Sequence, residues 1–226
     1  ISGVVERQYS GICRYDLCLT TDSRGGEAVT DAFTRRLDQE AGLEYLQVQD
    51  KLYYFRGADG DWSCGHVISG YDLTYLDEYL HLADSQSGEP LTVPFSGVLV
   101  SQRIAEVEDW QSGDVIQLMD SQGNRYLVTV AGVFENYAFH SLVMSADYYE
   151  SVTGKALDDN SFYINLHGAD GTKLTADLSG MDGFMRYDDG SENRVLFDDV
   201  SKGINVLVVV LLALSAAMAA MVLLDL

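Results

Sequence analysis

Residues 112–134, SGDVIQLMDSQGNRYLVTVAGVF, have the pattern of a β-hairpin, and the rest of the fold can be worked out from them. Residues 115–119 and 125–134 are rich in β-branched and other apolar side chains, as expected of strands. The polar stretch 120–124 between them contains Gly123, which tolerates the unusual backbone angles of a tight turn. The sequence therefore predicts two strands that pair through a short turn.

Three further residues mark the ends of this hairpin. Gly113 allows a turn backbone that a Cβ atom would hinder, and Asp114 can accept hydrogen bonds from nearby backbone amides where the first strand begins. Gly132 predicts a bulge or a close contact near the end of the second strand. We interpret Gly113, Asp114, Gly123 and Gly132 as a structural motif, in preference to a catalytic role for Asp114.

Two β-α-β patterns flank the β-rich region. The first comprises strand 14–20, helix 27–41 and strand 43–55, and the second comprises strand 161–166, helix 171–178 and strand 183–187. The insert between them predicts strands at 63–71, 97–100 and 141–144 and helices at 73–82, 102–108 and 146–152, with Ser101 as the N-cap of the second helix. Two such units around a long insert predict an α+β fold with one lobe completed by both ends of the chain.

An uncharged apolar run of 21 residues, 204–224, follows the second unit. A helix of this length spans ~31 Å at ~1.5 Å per residue, which matches the ~30 Å hydrocarbon core of a bilayer. We interpret the run as a transmembrane helix rather than a buried core helix. The chain begins at Ile1 rather than Met and ends two residues after the run, so we expect it to be a segment of a longer polytopic membrane protein.

Small residues cluster in the second half of this run at a four-residue spacing. Such residues allow helix backbones to approach closely within a membrane. We therefore expect Ala213, Ala216, Ala217 and Ala220 to pack against another transmembrane helix.

The chain is strongly acidic, with 14 Lys and Arg against 35 Asp and Glu and a net charge of −21. This charge repels the phosphates of nucleic acids, so the composition excludes nucleic acid as a partner. Lys202 alone flanks the apolar run on its N-terminal side, without the basic cluster of a cytoplasmic flank. Residues 1–203 are therefore expected outside the cytoplasm.

The three cysteines leave the state of their thiols open. Cys13 and Cys18 are five residues apart on the expected strand. They therefore point to opposite faces and do not pair easily with each other. A disulfide from Cys64 to one of them remains an alternative to three buried free thiols.

Catalytic, cofactor and metal motifs are not found in the sequence. There is no nucleophile elbow, zinc-protease motif or phosphate-binding loop, and the four histidines lack ligand spacing. The acidic tracts 158–160 and 188–193 lack the distal Glu of a calcium loop, so we interpret them as solvated turns. We therefore expect no catalytic residues, no cofactor and no metal.

The hairpin and its surroundings resemble the extracytoplasmic domain of FtsX/MacB-like permeases of ABC transporters. The resemblance rests on SQRIA at 101–105, SGDVIQL at 112–118, the turn at 120–124 and VTVAGVF at 128–134. ENY at 135–137 and SADYY at 145–149 are similar to forms found in the large permeases of Gram-positive bacteria.

The resemblance implies an architecture and a set of partners. Residues 1–62 and 160–203 would form a membrane-proximal lobe, 63–159 an inserted β-rich lobe, and 204–224 the helix that returns the chain to the membrane. A cytoplasmic ABC ATPase subunit, other transmembrane helices of the permease in a dimeric assembly, and an envelope peptide, lipid or protein ligand would be the partners.

The permease would be non-catalytic and would couple ATP hydrolysis by the separate ATPase to transport or mechanical signalling in the cell envelope. The alternative function is a membrane-anchored extracellular binding or sensor module without an ATPase partner. A hydrolase is less favoured, because no nucleophile lies beside a recognisable base.

Overall fold

The computed structural model describes residues 12–56, 60–136, 140–190, 203, 206–212 and 215. It is an α+β structure with a mixed sheet. The described residues form, in chain order, β1 (Leu17–Thr21), α1 (Glu27–Leu37), β2 (Glu44–Arg56), β3 (Trp62–Gly70), β4 (Val98–Ser101), α2 (Gln102–Glu108), β5 (Val115–Met119), β6 (Arg125–Phe134), β7 (Ser141–Ser145), α3 (Ala146–Thr153), β8 (Ser161–Asn165), α4 (Gly171–Ser179) and β9 (Phe184–Asp189).

Four strands from the two ends of the described chain form one antiparallel sheet. Its order is β9-β1-β8-β2, with β1 between β8 and β9. Together with α1 and α4, this is the order of a split β-α-β fold, in which the second and third strands are normally joined by a hairpin. Here the chain from β3 to α3 replaces that hairpin.

The inserted strands form a closed ring. β3 pairs with β7, β7 with β4, β4 with β6, β6 with β5, β5 with β2, and β2 again with β3. The β3–β7 and β4–β6 pairs are parallel, and the others are antiparallel. Closure pairs the backbone of every strand on both sides, at least along part of its length, and so removes exposed edges.

The long strand β2 belongs to both arrangements. Its first residues, 44–48, pair with β8, whereas residues 49–56 pair with β3. Tyr54 and Phe55 also pair with β5. The crossover from one arrangement to the other therefore lies between Val48 and Gln49, within a single continuous strand.

Each part has its own apolar core, built from residues two apart on a strand. In the four-stranded sheet, Leu17 and Leu19 of β1 pack with Phe33 and Leu37 of α1. The ring is filled by the pairs Val98 and Val100, Ile116 and Leu118, Val128 and Val130, and Leu142 and Met144. Because side chains alternate between the faces of a strand, one face of each strand supplies this core.

The helix predicted at 73–82 is wrong over most of its length, since only Leu76–Glu78 forms a short 3₁₀ turn. The Tyr79 carbonyl accepts hydrogen bonds from Arg14 and Tyr15, and His81 N–H donates to the Ile12 carbonyl at 2.8 Å. Residues 12–15 therefore bond backbone groups of 79–81 that would otherwise form hydrogen bonds within a helix.

Ser101 is the N-cap residue of α2, as predicted, with extended backbone angles, but its hydroxyl makes no capping hydrogen bond. Instead its Oγ accepts a hydrogen bond from the Ser141 backbone N–H at 3.1 Å, across to β7.

The predicted transmembrane helix at 204–224 lies largely outside the described residues. Within it, residues 206–212 and Ser215 are helical. No helix that the structure describes reaches the length and apolar character required to cross a bilayer.

Candidate functional site

The helix-free face of the four-stranded sheet carries the polar and reactive side chains. On β1, Cys18 lies between two residues that pack on the helices, so it points to the opposite face. Tyr163 on β8 is its register partner, and Asp188 on β9 is its partner on the other side. A row of three functional side chains therefore crosses the sheet.

A cavity of about 290 Å³ lies where this face meets the strand ring. Each of the strands around it contributes at least one side chain with polar atoms. The lining includes Cys18 (β1), Asp50 (β2), His66 (β3), Ser141 (β7), Tyr163 (β8), and Arg186 and Asp188 (β9). Its volume is close to the lower end of the range for small-molecule sites, which begins at roughly 300 Å³.

An acid–imidazole pair occupies one wall. The Asp50 carboxylate lies 2.7 Å from His66 Nδ1, and the side chains are 14% and 38% exposed. The hydrogen bond that the Asp50 carboxylate accepts from His66 raises the pKa of the imidazole against the opposing effect of burial. Nearby Arg186 opposes the shift, while Asp188 favours it. The pair therefore favours the protonated imidazole, so that this wall is an ion pair in mildly acidic solution.

Aromatic rings form a second wall. Tyr15 stacks on Tyr163 with ring centroids 5.0 Å apart. Burial raises the pKa of both phenols and of the Cys18 thiol well above their usual values. These groups are therefore protonated and poorly nucleophilic, which favours binding over covalent chemistry at this cavity.

Cys13 and Cys18 line the same cavity, so the prediction that they point to opposite faces is wrong. The reason is that β1 begins only at Leu17, so Cys13 is not on the same strand as Cys18. Cys13 instead forms an isolated backbone β-bridge with Leu80. None of the three cysteines forms a disulfide. Cys18 is buried, Cys13 is half-buried, and Cys64 is exposed rather than buried as expected.

The four residues of the predicted structural motif lie around the β5–β6 hairpin. Gly113 has φ +100° and donates its N–H to the Val130 carbonyl at 2.8 Å. Asp114 Oδ2 accepts the Gln111 N–H at 2.7 Å. Gly123 has φ +86° in the turn, a conformation that glycine adopts without strain.

Gly132 lies beside an irregularity in the β4–β6 pairing. Val98 pairs with Val130 and Leu99 with Gly132, which leaves Ala131 as the extra residue. A Cβ atom on Gly132 would lie 3.2 Å from Leu99 Cδ2. The position thus faces a tight contact on one side, although its φ is not in the left-handed region.

The hairpin turn also depends on Asp120, which is not part of the structural motif predicted from the sequence. Asp120 Oδ1 accepts N–H bonds from Gln122 and Asn124, each at 2.9 Å. Its Oδ2 lies 2.8 Å from Lys155 Nζ and 3.0 Å from the Tyr126 hydroxyl. These partners hold the pKa of Asp120 far below its usual range despite the opposing effect of burial. An aspartate at the start of a short turn was the signal that could have identified it.

The acidic residues of the tracts 158–160 and 188–193 lie in different environments in the structure. Asp158 pairs with Lys51 Nζ at 2.8 Å, and Asn160 bonds the backbone of Asp50. Asp188 lines the cavity, whereas 191–193 lie outside the described residues. Within the described ranges, no cluster of His, Cys, Asp and Glu could hold a metal ion. The predicted helix-packing residues Ala213, Ala216, Ala217 and Ala220 also lie outside the described residues.

No protein-family model matches this chain, and no curated protein matches it. Among solved structures, the chain is similar to the periplasmic region of MacB from Actinobacillus actinomycetemcomitans, with 10% identity, coverage of 89% of this chain and 97% of that one, and a TM-score of 0.45. It is also similar to the extracellular domain of the noncanonic ABC-type transporter YknZ from Gram-positive bacteria, with 13% identity, coverage of 77% and 98%, and a TM-score of 0.42.

A domain of a putative permease protein from Porphyromonas gingivalis is a third similar structure, with 13% identity, coverage of 74% of this chain and 81% of that one, and a TM-score of 0.34.

Proposed function

We propose that this chain is the extracytoplasmic domain, with the following transmembrane helix, of an FtsX/MacB-like ABC transporter permease. In this role the domain is non-catalytic. It converts ATP hydrolysis by a separate cytoplasmic ATPase into transport or mechanical signalling in the cell envelope, through shifts between conformations of its helices and outer domain.

The observation that carries this proposal is the pairing of the first and last described strands. β1 and β9 lie side by side, so the chain enters and leaves the four-stranded sheet at adjacent positions. A domain that emerges between two transmembrane helices needs its ends close together. We propose 1–62 and 160–203 as the two parts of the membrane-proximal lobe, with 63–159 as the inserted lobe.

The apolar run supports the membrane assignment. Residues 206–212 are helical, and their seven Val and Leu side chains are 46 to 65% exposed. Continuous apolar exposure of this kind is unfavourable in water but suits contact with lipid or with other transmembrane helices. We propose 204–224 as the transmembrane helix, with 1–203 on the extracytoplasmic side of the cell membrane.

The chemistry of the cavity supports a non-catalytic role. The thiol and phenols that line it are held protonated by burial. The acid–imidazole pair lies where β2 pairs with β3, in the strand ring. The same cavity favours the second candidate function, a membrane-anchored binding or sensor module that works without an ATPase.

Isolation of the full-length protein from its native membranes separates the two functions. The permease proposal predicts that a nucleotide-binding ABC ATPase co-purifies in detergent and that its ATP hydrolysis depends on the membrane protein. Reproducible isolation without any ATPase subunit would instead support the anchored binding module. A dimeric assembly of the permease is part of the same proposal and is measured on the same sample by mass photometry.

A further inference from the structure

A second concave surface lies away from the Asp50–His66 cavity, beside the C-terminal ends of β3 and β7. It is a groove of about 440 Å³, and it is lined mainly by the long connection between β3 and β4. Its apolar lining is formed by Leu73, Leu76, Leu82, Leu91 and Val93.

Backbone hydrogen bonds hold the walls of the groove in place. The Leu91 N–H donates to the Leu82 carbonyl at 2.8 Å, and Ala83 bridges to Pro90. Leu76 and Leu82 are buried, with 1% and 2% exposure. The groove is therefore preformed, so that a ligand would not need to order it on binding.

Large aromatic side chains remain in solvent around this surface. Phe95 is 92% exposed. Its backbone carbonyl accepts a hydrogen bond from the Ser145 hydroxyl at 3.4 Å. Tyr71 and Tyr75 are 63% and 57% exposed. Exposed aromatic side chains beside an apolar groove are typical of the anchoring positions of protein interfaces.

The charge around the groove has one sign over a long segment. Residues 57–102 contain seven Asp and Glu and no Lys or Arg. Asp77 lines the groove but is paired with Arg14 Nη1 at 2.8 Å. The acidic rim therefore rests on the exposed side chains of Glu78 and Glu89, which adjoin lining residues in the sequence. A second copy of this chain would bring the same acidic segment and a net charge of −21, and anionic lipid would also be repelled.

We propose that this groove binds a basic segment of a partner protein that carries apolar side chains at intervals. The apolar side chains contact the partly exposed Leu73 and Leu91 and the exposed Phe95, while the Lys or Arg side chains lie against the acidic rim. This inference goes beyond the proposed function and does not depend on it, because an anchored binding module would present the same groove.

The test uses the 226-residue chain in phosphatidylcholine nanodiscs and the fluorescent peptide KLRFKLRFKLRF as the probe. We expect saturable binding that is about tenfold tighter than that of KSRSKSRSKSRS, which keeps the charge, or of ELEFELEFELEF, which keeps the apolar side chains. Equal binding of the serine peptide would overturn the proposal, because net charge alone would then account for the affinity.

Matched variants locate the binding. Phe95→Ala should weaken binding about tenfold, and Glu78→Gln combined with Glu89→Gln should weaken it about threefold, with a smaller salt dependence. The controls are Leu127→Ala, at a 63% exposed side chain on β6, and Glu27→Gln combined with Asp182→Asn, which removes the same charge elsewhere. Control variants that weaken binding as much as the groove variants would overturn the proposal. So would sedimentation showing a dimer of this chain that Phe95→Ala disrupts.

Discussion

The side-chain amide of Asn160 bonds both backbone polar groups of Asp50. The Asp50 N–H donates to Asn160 Oδ1 at 2.8 Å, and Asn160 Nδ2 donates to the Asp50 carbonyl at 3.0 Å. Asp50 lies just past the crossover of β2, and Asn160 directly precedes β8. The amide therefore ties the residue beside the crossover to the strand that pairs with the first half of β2.

Asn160→Ala should destabilise the fold by roughly 1–3 kcal/mol, because a buried N–H and carbonyl lose their partner. Asn160 is 7% exposed, so water has little access to replace the lost bonds. Denaturant unfolding of the two variants Asn160→Ala and Asn165→Ala provides the measurement. Asn165 makes one long bond of 3.4 Å to the Glu78 carbonyl and should cost less. Equal losses of unfolding free energy would contradict this role of Asn160.

Asp50→Asn should lower the pKa of His66, because the carboxylate is the main cause of its upward shift. The stabilisation from a raised pKa is complete below the unfolded value of 6.5 and is lost as pH rises through the folded value. Wild type should therefore lose stability relative to Asp50→Asn as the pH rises through that window. NMR titration of the imidazole measures the pKa directly, and an unchanged or higher pKa in the variant would show that Asp50 does not control His66.

Gly132→Val should destabilise the β4–β6 pairing by about 1–3 kcal/mol, since a Cβ atom there would lie 3.2 Å from Leu99 Cδ2 and the valine methyl groups add further bulk. His140→Ala should cost less than about 1 kcal/mol, because the bond that its carbonyl accepts from the His66 N–H survives the change. Thermal unfolding by calorimetry compares the two variants. Equal melting temperatures would mean that the contact at Gly132 is readily relieved.

Cys64 provides a direct assay of the proposed extracytoplasmic location. It is exposed on β3, whereas Cys18 is buried. A membrane-impermeant maleimide should label wild type in intact cells, and Cys64→Ser should remove most of the signal. Labelling that requires permeabilised cells, as it does for a cytoplasmic control protein, would place this domain on the cytoplasmic side.

The parts of the fold that could be predicted are those whose signals are local. The turn at 120–124 and the apolar residues on either side of it are enough to predict the β5–β6 hairpin, although the distant Lys155 also bonds Asp120 in the turn. The helix predicted at 73–82 failed because its backbone groups bond to residues 12–15, more than sixty positions earlier. Periodicity carries no information about such a partner.

The cavity could not be predicted for a similar reason. Asp50, His66 and Arg186 come from three strands, and only their pairing through β1 and the shared strand β2 brings them together. Cys18 and Tyr163 did have a local signal. Each interrupts an apolar strand at the position that faces away from the helices.

We propose above that the chain couples to an ABC ATPase through its transmembrane helix. ATP hydrolysis by the co-purified assembly, reconstituted in membranes at equal protein amounts, tests this coupling by comparing Ala217→Leu with the control Val208→Leu. Leucine in place of Ala217 adds bulk to the small-residue face at four-residue spacing and should separate the packed helices. We expect a severalfold loss of coupled hydrolysis in Ala217→Leu and near wild-type hydrolysis in Val208→Leu. Equal, wild-type hydrolysis in both variants would contradict this proposal and leave the helix a passive anchor.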